Sequence, residues 1–243
     1  MSIVTCQEAY TSYAMKQQAG RGFGKLVGGS LCLDFVNTVG GRVGGSRSGT
    51  RRDYGDRIVD ERLTSYDALL RWAVLGGVLT SGEARALADD ASSRPGEAFA
   101  VLERSLTLRE AMYRVFKAAV EGWRPRSRDL IALNAELRAV RTHERLVAAP
   151  HPAWAWGDDR GALDRMLWPV VKSAAGLLTG SALGRVGQCP GDRCGWLFLD
   201  TSRSRRRQWC DMGECGNLAK VRRFRDRQRR ERPARRSRPS GHV

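Results

Sequence analysis

Residues 189–223 read CPGDRCGWLFLDTSRSRRRQWCDMGECGNLAKVRR, and they contain four of the six cysteines of the 243-residue chain. These form two pairs with four-residue spacers, separated by fifteen residues: Cys189 with Cys194, and Cys210 with Cys215. Structural Zn²⁺ prefers four such ligands in a tetrahedron, and so short a segment buries too little apolar surface to fold unaided. The pattern therefore predicts one structural zinc ion, whose binding contributes on the order of 10 kcal/mol.

The residues between and after the cysteine pairs are typical of a small treble-clef-like zinc finger, a β-hairpin followed by a helix. We expect a strand at 196–199, a turn at 200–204 and a returning strand at 207–209. The helix begins near Cys215, where its dipole favours a thiolate. Three of its apolar side chains are expected to pack back on the hairpin: Leu218, Val221 and Phe224.

The positive charge of the chain is concentrated at this end. The whole chain has 42 Lys and Arg against 26 Asp and Glu, and residues 185–243 hold 17 basic and 6 acidic residues. Such a distribution is typical of a surface that binds a polyanion, although a solvated basic tail is the alternative interpretation. Nucleic-acid contacts are predicted from the hairpin loop and the final helix: Arg203, Arg205, Arg206, Arg207, Lys220, Arg222, Arg223, Arg227 and Arg230.

The apolar periodicity of residues 23–184 predicts a mainly helical domain with minor β-strands, and hence an α+β fold class. Residues 26–39 are expected to form strands, with Leu31, Leu33 and Phe35 alternating on one face, and residues 40–55 an exposed loop. Other elements are a hairpin over 145–156 and five helices: one with a capping-box start at Thr64, one that begins near Ser81, one that Pro95 opens, one that Ser127 caps, and one that begins at Asp158 or Asp159 and ends at Gly180. Pro169 is expected to kink the last of these helices. The side chains expected to face inward include Phe99, Leu102, Tyr113 and Phe116 of the third helix, Leu130 of the fourth, and Leu163, Leu167, Val170, Ala174 and Leu177 of the fifth.

The composition also indicates what to expect of the two terminal segments and of the cellular location. Residues 1–22 are expected to be an N-terminal extension, 185–232 the finger, and 233–243 a disordered basic tail. The sequence contains no run of 18 apolar residues, so it predicts no membrane span. The N-terminus has no secretory signal pattern. The interpretation is a cytoplasmic protein.

Four side chains of the helical domain suggest a small-molecule pocket for an effector: Asp34, Asn37, Trp154 and Trp168. The alternative is that the tryptophans belong to the core and that Asn37 satisfies backbone groups. The three histidines have no metal or triad spacing, and no HExxH or GxSxG motif is present. The chain is therefore not expected to be an enzyme.

The stretch CGWLFLDTSRSRRRQWCDMGECGNLAKVRR resembles the CGNR zinc finger of bacterial proteins. LCLDFVNT (31–38) and RMLWPVVKSAAGLL (165–178) resemble the ABATE domain that usually precedes it. The resemblance covers residues 23 to 230 and implies a stress-induced transcription regulator that binds DNA. The chain departs from the family motif at one position, because Leu218 stands where the motif has Arg. If that Arg contacts phosphate in relatives, Lys220 or Arg222 would make the contact in this chain. RNA, the ribosome and RNA polymerase are the alternative partners.

Overall fold

The computed structural model describes residues 23–44, 56–148, 150–157 and 159–231. In this part of the chain the helices are α1 (Leu31–Val36), α2 (Tyr66–Leu75), α3 (Ser81–Ser93), α4 (Pro95–Val120), α5 (Ser127–Arg141), α6 (Leu167–Thr179) and α7 (Asn217–Glu231). Three antiparallel strand pairs accompany them: β1 (Val39–Val43) with β2 (Arg57–Glu61), β3 (Glu144–Val147) with β4 (Ala153–Trp156), and β5 (Val186–Gln188) with β6 (Leu197–Leu199). The α+β fold with a mainly helical body is confirmed.

Helix α4 lies at the centre of this body, where it contacts α1, α2, α3, α5 and α6 as well as strands β5 and β6. It begins at Pro95, as predicted, because proline at the first helical position loses no hydrogen bond. Its inward face is buried as expected at Leu102, Tyr113 and Phe116, but Phe99 is exposed. Leu130 of α5, also expected to face inward, is exposed as well.

Two of the predicted helix starts differ by one residue. The Oγ atom of Ser65, not of Thr64, caps α2, where it accepts a hydrogen bond from the backbone N–H of Ala68 at 3.0 Å. Ser127 is the first residue of α5, and Arg126 holds the cap position. The capping box at the start of α3 joins Thr80 to Glu83.

The strand prediction for residues 26–39 is wrong at 31–36, which form helix α1. The backbone N–H groups of Leu33 and Asp34 both donate to the carbonyl of Ser30 at 3.0 Å. α1 is enclosed by α4, α6 and β6, and all its residues from Cys32 to Val36 are buried. A short apolar segment that is buried all round has no polar face, so its pattern does not separate strand from helix.

The loop prediction for residues 40–55 is wrong where β1 lies, since Val39 pairs with Glu61 and Val43 with Arg57. The glycines of β1 mark a close backbone approach. A Cβ atom on Gly41 would lie 1.9 Å from the carbonyl oxygen of Arg193 in the finger. Residues 45–55, the expected extension 1–22 and the expected tail 233–243 lie outside the described residues.

Helix α6 begins at Leu167 and not at Asp158 or Asp159, and it ends at Gly180 as expected. Pro169 therefore lies in the first turn, where backbone N–H groups have no helical acceptor in any helix. For that reason the kink expected at Pro169 is not required. The predicted inward stripe is nevertheless buried at every position: Leu163, Leu167, Val170, Ala174 and Leu177.

The finger packs against the helical body. Val186, Leu197 and Leu199 of β5 and β6 belong to the same hydrophobic core as the helical body. The backbone N–H of Arg42 donates to the carbonyl of Cys194 at 2.9 Å, and the indole N–H of Trp196 donates to the carbonyl of Val39 at 3.0 Å. None of the helices in the described part of the chain meets the length and hydropathy that a membrane span requires.

Candidate metal centre and basic surface

The four predicted zinc ligands come together, with all their Sγ atoms within 4.8 Å of one another: Cys189, Cys194, Cys210 and Cys215. The Sγ atoms of Cys194 and Cys210 are 3.5 Å apart, and those of Cys210 and Cys215 are 3.6 Å apart. A tetrahedron with Zn–S bonds of about 2.3 Å has edges of about 3.8 Å. The donor set and its spacing therefore fit one structural zinc ion held by four thiolates.

The close packing of the thiols separates their pKa values. Hydrogen bonds from Cys194 and Cys210 lower the pKa of the Cys189 thiol, whereas the bonds to Cys189 raise the pKa of Cys194 and of Cys210. Burial and the neighbouring Cys189 charge raise the pKa of Cys215. A divalent cation bound between the four sulfurs would favour the thiolate form of each of them.

The first ligand pair is positioned by a tight turn after β5. The N–H of Cys189 donates to the carbonyl of Trp196 at 2.8 Å, and the N–H of Cys194 donates to the carbonyl of Gly191 at 3.0 Å. A Cβ atom on Gly191 would lie 3.0 Å from the Sγ of Cys215 and 3.4 Å from that of Cys189. Glycine is needed here because a side chain would enter the space that the ligands share.

The second ligand pair is positioned by the helical turn Met212–Gly216, which leads into α7. The carboxylate of Asp211 accepts hydrogen bonds from the N–H groups of Gly213 at 2.6 Å and Glu214 at 3.3 Å. The Nζ atom of Lys25, from the segment before α1, lies 3.1 Å from the same carboxylate. The N-terminal segment thus contacts the turn that carries Cys215.

Strand β6 pairs with β5 and not with the predicted returning strand at 207–209. The other edge of β6 is already occupied, because the N–H of Leu199 donates to the carbonyl of Gly28 at 2.7 Å and the N–H of Leu197 donates to Oδ1 of Asn37 at 3.0 Å. The 200–207 loop folds on itself instead. Its closing contact is the Asp200 carboxylate, which accepts the N–H of Arg207 at 3.0 Å.

Arg207 has a structural position that the sequence did not suggest. Its guanidinium donates to four backbone carbonyls, those of Val27, Leu199, Trp209 and Cys210, and it lies 4.6 Å from the centre of the Phe198 ring. With four of its five donors used, Arg207 is unavailable to phosphate. In this structure Arg207 joins the finger to the N-terminal segment through the carbonyl of Val27.

The other basic side chains of the loop lie at the surface: Arg203, Arg205 and Arg206 are all exposed. So is every side chain from Lys220 to Arg230 of α7, including Arg222, Arg223 and Arg227. Arg222 forms an exposed ion pair with Asp192 at 2.6 Å. The structure thus places the predicted cations, apart from Arg207, on two exposed segments that flank the second ligand pair.

The apolar side chains of α7 do not pack on the hairpin as predicted. Leu218 is 64% exposed, Val221 39% and Phe224 53%. The surface that they were expected to cover is already covered, because Arg207 lies over Phe198. Helix α7 instead contacts the 212–216 turn.

The four residues predicted to line a small-molecule pocket occupy different places. Asn37 is bonded to both backbone groups of Leu197, and Asp34 is buried with Oδ1 accepting the N–H of Gly28 at 2.7 Å. Trp168 is buried, whereas Trp154 is half-exposed on β4. The groove that the described residues form between α2, α3 and α4 is lined by none of them.

A buried ion pair behind the finger was missed by the sequence analysis. The guanidinium of Arg42 donates two hydrogen bonds of 2.8 Å to Glu110 and lies 3.7 Å from the ring centre of Tyr113. The Nε2 of Gln188, next to the ligand Cys189, donates to the Tyr113 hydroxyl at 2.8 Å. The sequence feature that could have indicated this ion pair is Glu110, an acidic residue three positions before Tyr113 on the inward face of α4.

Comparison with protein families agrees with this architecture. The ABATE family model, described as "putative stress-induced transcription regulator", matches residues 29–181, and the CGNR zinc finger model matches residues 185–228. None of the curated proteins compared with the chain matches it. Neither family is described as an enzyme. Because the first match covers more than half of the chain and the second includes all four clustered cysteines, the protein belongs to the ABATE family and carries a CGNR zinc finger.

Proposed function

We propose that this protein is a DNA-binding transcription regulator whose zinc finger presents two basic segments to the phosphates of duplex DNA. The observation that carries the proposal is the exposure of cations on both sides of the second ligand pair. Arg203, Arg205 and Arg206 lie on the loop before Cys210, and the cations of α7 follow Cys215. Arginine and lysine side chains on such a surface neutralise DNA phosphates and release the counterions condensed on them.

Zinc has a structural role in this proposal. It fixes the turn that ends in α7 and the turn that faces β1, and it takes part in no reaction. The helical domain serves as a sensor or as an assembly surface, since a finger whose strands share its core responds to changes in that domain. We place the protein in the cytoplasm, where DNA is accessible to it.

The proposal is tested by fluorescence anisotropy of the zinc-loaded protein with labelled duplex DNA and with RNA over a salt series. We expect tight binding at low salt and a steep loss of affinity as salt rises. The variant Arg205→Gln with Arg206→Gln should lower the slope of log affinity against log salt by about 1.8, since each lost phosphate contact contributes about 0.9.

The matched control is Arg138→Gln with Arg141→Gln, which removes the same charge from exposed positions of α5. It should leave the salt slope within error of the natural protein. A preference for RNA over duplex DNA would favour an RNA or ribosome partner. Absence of nucleic-acid binding even at low salt would favour a protein partner such as RNA polymerase and would overturn the proposal.

A further inference from the structure

Helix α7 has an apolar and amide face that the fold leaves uncovered. At about 100° per residue, six side chains fall within roughly one third of the helix circumference: Asn217, Leu218, Val221, Phe224, Arg225 and Gln228. Each of them is exposed. The helix thus presents at its surface apolar groups, two amides that donate and accept hydrogen bonds, and the guanidinium of Arg225, which donates only.

Cations lie on both sides of this face. Lys220 and Arg227 follow one edge of it, and Arg222 and Arg229 follow the other. The Arg222 ion pair with Asp192 is exposed at both ends, so it can exchange for another anion at little cost. The opposite side of the helix carries Arg223 and Arg230 together with Asp226 and Ala219.

This arrangement matches an anionic groove with two charged walls. The major groove of B-form DNA is about 12 Å wide and admits one α-helix, with a phosphate backbone on each side and base edges at its floor. A second copy of α7 fits less well, because its cations would face the same cations of the first. A membrane surface also fits less well, since the apolar stripe ends at Phe224 after about two turns.

We propose that α7 enters the major groove with this face toward the base edges, so that the finger reads DNA sequence as well as binding phosphate. This inference rests on the proposed function. Apolar side chains contact thymine methyl groups, and glutamine pairs with adenine through two hydrogen bonds. Val221 and Gln228 are the positions that would select bases, while the flanking cations would bind the two strands.

The test begins with selection of preferred sequences by the zinc-loaded, full-length protein from a pool of duplexes with a randomised centre. The uncharged variant Val221→Ala with Gln228→Ala should lower the preference for the selected over an unselected duplex by about tenfold or more. Its affinity for the unselected duplex should stay within about twofold, since no phosphate contact is lost. Zinc content and circular dichroism check that each variant is folded.

A matched pair of charge variants tests the orientation of the helix. Lys220→Gln with Arg229→Gln, one from each edge, should lower the salt slope by about 1.8. Arg223→Gln with Arg230→Gln, on the opposite side, should change it by less than half as much. Equal losses, or no preferred sequence, would overturn the groove inference and leave the proposed function standing.

Two further outcomes distinguish the remaining partners. If no duplex binds at low salt, the proposed function fails together with this inference. Vesicles containing phosphatidylserine serve as the membrane probe. If Val221→Ala with Gln228→Ala loses vesicle binding but keeps its DNA preference, the face is a membrane contact and the inference is wrong.

Discussion

Asn37 joins the helical body to the finger through a single side chain. Its Nδ2 donates to the carbonyl of Leu197 at 2.8 Å, and its Oδ1 accepts the N–H of Leu197 at 3.0 Å. Both residues are buried, so neither backbone group of Leu197 has access to water. The amide of asparagine suits this position because it supplies one donor and one acceptor to one peptide unit.

Replacing Asn37 by alanine should therefore lower the free energy of unfolding by about 2–4 kcal/mol, since two buried backbone groups lose their partners. Urea denaturation of the zinc-loaded protein measures the change. The control Asn134→Ala, at an exposed position of α5, should change it by no more than about 0.5 kcal/mol. Equal effects of the two substitutions would show that the pairing contributes nothing.

Asp34 introduces a pH dependence into the same region. Burial raises the pKa of its carboxyl from 3.8 to about 7, and Oδ2 has no hydrogen-bond partner among the described residues. Between those two pH values the folded state binds more protons than the unfolded state. The free energy of unfolding consequently falls as pH rises through this window.

The variant Asp34→Asn cannot titrate, so its stability relative to the natural chain should increase from pH 3.8 to about 7 and then remain constant. Urea midpoints of both proteins, measured with excess zinc over a pH series, give the difference. Asp89→Asn, at an exposed position of α3, is the control for loss of a surface charge. A constant difference across the whole window would contradict the prediction.

Strand β1 and the first ligand pair of the finger form a backbone contact between elements. A Cβ atom on Gly41 would lie 1.9 Å from the carbonyl oxygen of Arg193, and one on Gly195 would lie 3.0 Å from Cβ of Arg42. Neither neighbouring atom belongs to the flexible end of a side chain. The two elements can approach only because both positions are glycine.

We expect Gly41→Ala to lower the free energy of unfolding by about 1–3 kcal/mol, because the strand must move away from the finger. The control Gly176→Ala lies in α6, where an added Cβ atom meets nothing within 4 Å. It should be neutral or stabilising by up to about 1 kcal/mol, since alanine favours a helix over glycine. Thermal unfolding of both variants checks the contrast.

For the whole molecule, the shared core changes what zinc removal is expected to do. The cysteine pattern by itself favours a finger that unfolds alone and leaves the helical domain intact. In the structure Val186, Leu197 and Leu199 complete the core of that domain. Unfolding of the finger therefore exposes apolar surface on the helical body as well.

Cys210→Ser should abolish stoichiometric zinc binding and lower the melting temperature of the whole chain by at least about 10 °C. The reason is that zinc stabilises by several kcal/mol and each kcal/mol shifts a domain of this size by about 2–4 °C. Cys32→Ser, a buried cysteine outside the cluster, controls for loss of a thiol and should retain zinc. Two separate transitions, with the helical one unchanged, would contradict the shared core.

The sequence by itself determined the metal centre and most of the helices. Cysteine spacing reports ligand geometry locally, and the apolar periodicity of α4 and α6 is long enough to identify a helix. The mainly helical α+β fold and the four zinc ligands followed from these signals. The family resemblance followed from the motifs at 31–38, 165–178 and 194–223.

Only the tertiary structure decided what each short segment contacts. Residues 31–36 form a helix that α4, α6 and β6 enclose. Strand β6 pairs with β5, since the carbonyl of Gly28 and the side chain of Asn37 bond to the other edge of β6. The guanidinium of Arg207 donates to a carbonyl that is distant in sequence, that of Val27. The apolar side chains of α7 are exposed. Such outcomes depend on competition between distant partners, which local pattern and propensity do not contain.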